Sequence, residues 1–470
     1  MFTSRFKAGR CGTVTLGSLV LALGLPLPAP AQTPTTGTPI GTPAPAPHLV
    51  PALTLGLDRA LLLAQHYSRQ IKAQDALAQS ARQMAVAAGQ LPDLTLKFGI
   101  NNLPVTGPDQ FNLTSDFMTM QSVGVMRELT RADKRQARAA RFEREAEVAD
   151  ANRALSHLNL QRDTAIAWLE RHYLEQVRDL LGAQRAEVAL QAEATEAAYR
   201  GGGGGGGGAG RGTQADVVAA RTALAQMDDR LQQAKTQVLA AKTRLVRWVG
   251  PDGNQTLAAP PDLNTLPLNV DTLEAQLQSH PHDAVMASQE AVARAEADVA
   301  QSEKKADWTM ELMFNQRGPA YSNMLSINFS LPLQLNQGQR QDRELGAKLA
   351  LVEQMQAQRE EAKRERLAQA RAGLQQWQGN RERLLAYDRV LRPLNQQRTQ
   401  AALAAYRGNS GPLVAVLEAR RMEIDTRMDQ LRLEMETAAL WAQLNHLIAG
   451  GHEATAAATT TPASASALEK

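Results

Sequence analysis

The chain has one cysteine in 470 residues, Cys11. It lies before the apolar run Val14–Leu25, which follows Arg5, Lys7 and Arg10 and ends near Ala29-Pro30-Ala31. Residues 1–31 therefore read as a secretory signal cleaved before Gln32. The mature chain would then carry no disulfide, no reactive thiol and no thiolate metal site. Loss of three basic residues and no acid takes the formal charge from +3 to zero. No basic stripe is left to support nucleic-acid binding. No later segment has about 18 continuous apolar residues, which excludes a membrane helix but not a β-barrel. Aromatics are only 4%, while Ala, Gln, Glu, Arg and Leu dominate, a composition of long helices rather than of a compact mixed core. No Ser/His/Asp, Cys/His or paired-carboxylate constellation is present, so the sequence reads as a non-enzyme with no cofactor and no resident metal.

The elements that are present come in one order, twice. Residues 32–52 form a Pro/Thr-rich linker without the apolar content to order itself. Leu53 to Gln90 has helical spacing, and Thr54 can cap it. Asp93–Asn101 alternates Leu94, Leu96, Phe98 and Ile100 with polar positions, and Met118–Leu129 reads as a second strand. Thr130–Tyr199 contains no proline and only Gly182, which predicts a helix roughly 105 Å long at about 1.5 Å per residue. Thr213–Val249 returns with Leu224, Met227, Leu231, Ala234, Val238, Ala241, Leu245 and Trp248 in alternating three- and four-residue steps, a heptad seam for packing on the preceding helix. A linker, 250–269, follows. The order then restarts: a helix over Val270–Lys305, strands at Asp307–Asn315 and Leu325–Leu333, a second long helix over Asn336–Tyr406 interrupted mainly by Pro393, and a return helix, Leu413–Ile448. The expected domains are thus repeats 53–249 and 270–449, with a low-complexity tail at 450–470.

The two helical turns are twins. Tyr199–Arg221 and Tyr406–Arg420 both begin Tyr-Arg-Gly and both end in an apolar pair, an alanine and an arginine; removing Gly201–Gly208 brings them to nearly equal length. The octaglycine lacks the preceding strand and the following Lys-Ser/Thr of a phosphate-binding loop, and reads as an expansion within a turn. Four strands of 9–12 residues fit a tilted bilayer crossing, apolar to lipid and polar to a lumen. Four strands cannot close a useful barrel, whereas three copies give twelve strands and leave no edge.

These strand pairs, the two Tyr-x-x-Gly-type turns and Ser279-His280-Pro281-His282-Asp283 together resemble the TolC family of outer-membrane efflux proteins over nearly all of residues 53–449. Phe117-Met118-Thr119-Met120 with Val123-Gly124-Val125-Met126 is similar to the heavy-metal-efflux relatives. The resemblance implies an α+β membrane protein, a homotrimer whose twelve-stranded barrel sits in outer-membrane lipid and continues as a helical tunnel through the periplasm. It implies a periplasmic adaptor (membrane fusion) protein and an inner-membrane efflux transporter as partners, the latter supplying the energy, because the chain itself has no nucleotide or ion-coupling motif. Tyr199, Arg200, Gly212, Arg221, Tyr406, Arg407, Gly408, Gly411 and Arg420 are the candidate adaptor-docking residues; the plainer reading is turn geometry and hairpin packing. Asp216 and Glu418 are the candidate gate. Glu418 matches a carboxylate position at the family's second turn, and Ala415 stands where another would sit. A ring of three carboxylates would favour cations; a helix N-terminal acid is the plainer reading. His280 and His282 flank Pro281 without a third ligand, so a turn before a helix is the simpler account. The methionines of the strands read as packing or lipid-facing groups. A reading from another class, a periplasmic coiled-coil adaptor or scaffold without a pore, explains the hairpins but not the strands.

Overall fold

The computed structural model describes residues 54–201, 213–266, 273–278, 280–408 and 410–447. The expected signal, Pro/Thr-rich linker and tail, together with Gly202–Gly208 and Gly212, lie outside the described residues.

The first helical stretch is two helices, α1 (Leu57–Tyr67) and α2 (Arg69–Ala88), where the apolar spacing predicts one. Ser68 separates them. Its backbone is extended (φ −63°, ψ 123°), and its hydroxyl accepts a hydrogen bond from the Ile71 N–H at 3.4 Å. A serine oxygen at this position satisfies an otherwise orphaned donor of the next helix. The break lets α1 bury Leu57, Ala60, Leu61 and Ala64, while α2 buries only the alanine stripe Ala78, Ala81 and Ala85.

Strands β1 (Thr95–Asn101) and β2 (Met120–Leu129) lead into α3 (Ala132–Gly201), 70 residues without a break. Helix α4 (Gln214–Val249) returns along it. On α4 the expected seam is the packed one: Met227, Ala234, Val238, Ala241 and Leu245 are buried, and Leu224, Leu231 and Trp248 are half-buried. Gly250 ends α4 at φ +73°, a conformation open to glycine, and a Cβ there would lie 3.2 Å from the Tyr67 ring.

Short α5 (Leu273–Gln278) and α6 (Pro281–Glu303) take the place of one expected helix. Next come β3 (Trp308–Gln316), β4 (Met324–Ser330), α7 (Gln341–Ala386), α8 (Arg392–Arg407) and α9 (Leu413–Asn445). Between α7 and α8, Tyr387–Leu391 form a single π-helical turn. Pro393 has no N–H and its ring crowds the carbonyl four residues back, that of Arg389. The wider turn contains Arg389, so the strain is relieved one turn upstream of the proline. Helix α9 is more thoroughly enclosed than α4, burying Leu413, Val416, Ile424, Leu431, Leu433, Ala438, Trp441 and Leu444.

The segment after α4, expected as a linker, is fastened to the middle of the bundle. Gly250–Asn254 is a 3-10 turn, and Leu55 bridges Leu257. The buried Arg171 of α3 donates to the carbonyls of Gly253 at 2.6 Å and Gln255 at 2.8 Å, and pairs with Glu175 at 2.9 Å. Trp168 Nε1 donates to the Leu55 carbonyl at 3.0 Å, and Trp441 Nε1 to that of Thr265 at 2.8 Å. Irregular backbone can sit against an apolar bundle here because its carbonyls find donors. These residues border the main core of Leu57, Leu61, Leu160, Trp168, Leu169, Leu245, Trp377, Leu431 and Trp441.

Candidate functional site

The four strands make one antiparallel sheet in the order β1-β2-β3-β4, so β1 and β4 are its edges. Register partners project on the same face. One set of rows is apolar: Leu96, Val125, Leu312 and Ile327 form one row, and Phe98, Val123, Phe314 and Leu325 the next. Phe98 is 83% exposed and Leu325 65%, so this face has no cover among the described residues. The other face is polar and hydrogen-bonded across all four strands. Asn101 donates to Ser122 at 2.7 Å, Ser122 to Asn315 at 2.6 Å, and Asn315 to Ser326 at 2.8 Å. Lys97 pairs with Glu311 on the same side at 3.0 Å. At the junction with the helices, the buried Lys134 ammonium meets the Asp307 carboxylate at 2.5 Å, and the Arg131 N–H donates to the same group at 3.0 Å.

The helical hairpin turns lie at the far ends of α3/α4 and α8/α9. Thr213 and Asp216 form a reciprocal cap of α4. The Thr213 hydroxyl accepts from the Asp216 N–H at 3.1 Å, and Asp216 Oδ2 accepts from the Thr213 N–H at 2.9 Å and its hydroxyl at 2.8 Å. The Asp216 carboxylate is thus occupied locally. Glu418 is exposed on α9, beside a groove of about 320 Å³ floored by Val188, Met227, Val414 and Ile424.

The twin arginines both reach acids of α3. Arg221 donates to Glu196 at 2.9 Å, and Arg200 pairs with the same carboxylate. The Arg221 hydrogen bond holds the Glu196 carboxyl below its ordinary range. Arg420 lies 3.2 Å from Glu423 and 3.8 Å from Glu187. Tyr199 is 47% exposed, Tyr406 is half-buried, and Arg407 is exposed. Gly408 caps α8 with φ −82°, which any residue adopts, and its N–H donates to the Ala404 carbonyl at 2.9 Å. Gly411 sits in a tight spot: a Cβ there would lie 3.1 Å from the Ala405 Cβ, close enough that one of the two would have to shift. One contact that sequence reasoning missed ties the two hairpins together, Arg230 of α4 to Asp425 of α9 at 2.7 Å. Its partners are 195 residues apart, and no local spacing announces it.

His280 and His282 sit in the turn that opens α6. His280 Nδ1 accepts from the His282 N–H at 3.0 Å and caps α6, as the turn reading expects. Burial, with Arg366, His282 and Arg162 adding to it, pushes the His280 imidazole from 6.5 down to about 4, so it is the neutral acceptor that this cap requires. Among the described residues no group of three His, Cys, Asp or Glu side chains could hold a metal ion, and no helix is long and apolar enough to cross a membrane.

No protein-family model matches the chain, and no curated protein matches it. Solved structures do. The outer membrane protein VceC of Vibrio cholerae aligns with a TM-score of 0.66 at 17% identity, over 83% of this chain and 95% of that one. CusC, described for its transmembrane channel formation, aligns at 0.65 and 14% identity, over 84% and 92%. The open-state MtrE outer membrane channel of Neisseria gonorrhoeae aligns at 0.60 and 16% identity, over 83% and 88%. At such identities the likeness is one of fold, and it spans nearly the whole of each neighbour. The chain has the fold of the TolC-family outer-membrane channels.

Proposed function

We propose that the protein is a TolC-family outer-membrane factor, the passive export duct of a tripartite efflux pump. Three copies join their sheets into one twelve-stranded barrel in the outer membrane, and their hairpins form a tunnel through the periplasm. One observation carries this reading: a four-stranded sheet with an uncovered apolar face, a hydrogen-bonded polar face and two unpaired edges. In hydrocarbon each unpaired backbone group costs several kcal/mol, so β1 and β4 need partners there, and β4 of a second copy is the natural neighbour for β1. The polar network then faces the lumen, where water is available.

The hairpin turns are the surfaces that meet a periplasmic adaptor, through Tyr199, Arg200, Gly212, Arg221, Tyr406, Arg407, Gly408, Gly411 and Arg420, and through it an inner-membrane transporter. Cargo is small solutes or metal ions. Gating belongs to the same end. Glu418 suits it better than Asp216, whose Oδ2 is held by Thr213. The Arg230–Asp425 and Arg420–Glu187 contacts tie α9 to the α3/α4 hairpin, and an opening motion of one hairpin against the other breaks them.

Planar-bilayer recording of the purified trimer tests the reading. The wild type should give small, infrequent conductance steps, R230D larger ones, and R230D/D425R a return toward the wild type. A water-soluble, non-conducting protein that fractionates with the periplasm would sink the channel and favour the scaffold.

A further inference from the structure

Where the start of α6 meets the end of α9, these two helices together with α3 and α7 line a cavity of about 680 Å³. Its charged and imidazole lining is Arg162, Asp163, Glu365, Arg366, His280, His282 and His446. The acids in reach of this lining have other hydrogen-bond partners, although the charges of Glu365 and Asp283 still act on Arg366. Asp163 holds Arg162 at 2.8 Å, and Glu365 accepts from Gln369 at 2.9 Å. Asp283, which acts on Arg366 electrostatically, is bound by Arg359 at 3.1 Å.

Arg366 is left over. Its side chain is half-buried and makes no hydrogen bond or ion pair among the described residues. Burial is the largest influence on it and pushes its pKa below the ordinary guanidinium value, outweighing the opposing pull of the Asp283 and Glu365 charges, neither of which it contacts directly. His282 Nδ1 is a second orphan, a buried ring nitrogen without a partner. Arg366 also depresses the basicity of both His280 and His282, which places its charge beside them. The helix end is not the attractor. Pro281 has no N–H, and the next two N–H groups are taken by His280, through Nδ1 at 3.0 Å and its carbonyl at 2.9 Å.

We propose that this cavity is a binding site for an oxyanion, a carboxylate or phosphate group carried by a small solute, with Arg366 as the principal donor and His282 Nδ1–H as the second. A guanidinium presents a planar fork that matches either group, and a neutral imidazole in the Nδ1–H form adds one directed hydrogen bond. The volume lies in the range that accepts a small organic molecule rather than a lone ion. The bound group would bridge α7 to α6 beside the end of α9, so ligand would stabilise the seam where four helices converge.

Isothermal titration of the full-length protein in detergent tests this, with inorganic phosphate and acetate as separate probes against chloride at constant ionic strength. Saturable heat with at least one probe is expected, and which one separates phosphate from carboxylate chemistry. R366Q should weaken binding roughly 30-fold, the size of a charge-assisted hydrogen-bond pair. R366K, which keeps the charge and loses the fork, should fall between the two. R364Q, two residues away on the opposite side of the same helix and exposed, should bind as the wild type does. No saturable heat with either probe overturns the proposal. So does undiminished binding in R366Q or, if that variant fails to fold, in R366K.

Discussion

At the scale of single residues, His280 and Lys134 carry consequences that sequence spacing does not convey. The His280 pKa is lowered on folding, so as pH falls the unfolded chain takes up the proton first. Its contribution is whole above pH 6.5 and is lost as pH falls toward about 4. His157, His172 and His282 are also lowered, chiefly by burial, and act with the same sign. Thermal melts across that interval should show acid destabilisation, and H280N, whose amide oxygen can replace the accepting nitrogen, should make the slope shallower. An unaltered slope would contradict the assignment of His280 as a titrating cap. Lys134 neutralises a half-buried carboxylate. Lys134→Met leaves Asp307 with only the Arg131 N–H and should cost about 1–3 kcal/mol in detergent unfolding. The double variant K134M/D307L should recover most of that loss, and equal loss in both would mean the pair is not the cause.

At the scale of elements, helix and strand identity was legible wherever one period ran uninterrupted. The α4 seam and the strand alternation of β1 and β3 follow directly from which positions are apolar. Breaks were less legible. Ser68 is an ordinary residue in a helix interior, and only its extended backbone reveals it as a cap. Pro393 marked an interruption, but the π turn sits upstream, because a proline clashes with the carbonyl behind it. The site divided the same way. The turn residues could be found by comparing the two halves, whereas Arg230–Asp425, Arg221–Glu196 and Arg420–Glu187 depend on how long helices align. Thr213 tests the element scale. T213A removes the reciprocal cap and should cost about 1 kcal/mol. Hydrogen exchange should show this as faster exchange confined to the first turns of α4; protection unchanged there would mean that the cap is redundant.

At the scale of the whole molecule, the two faces of the sheet should answer substitution in opposite ways. Phe98→Arg puts a charge in the apolar rows and should cost about 2–4 kcal/mol near a bilayer midplane, lowering the amount of protein in the outer-membrane fraction. Lys97→Gln changes the opposite face and should leave that amount near the wild-type level. Equal losses would show that the faces are not distinguished by their surroundings. The central β2–β3 pairing has a further consequence, in time rather than in space. Gln121 pairs with Gln316, so this ladder joins strands nearly two hundred residues apart, while each outer hairpin is local. Non-local pairing is slow, because the loop must close before contacts reward it. Each hairpin can therefore exist while its inner edge still awaits the other, and in the proposed trimer both outer edges stay open until neighbouring copies arrive. Assembly of the proposed trimer is then a race between two closures, one within the chain and one between chains. Slowing the first, by weakening β2–β3, should divert newly made chains toward aggregation before any loss is detectable in the finished assembly.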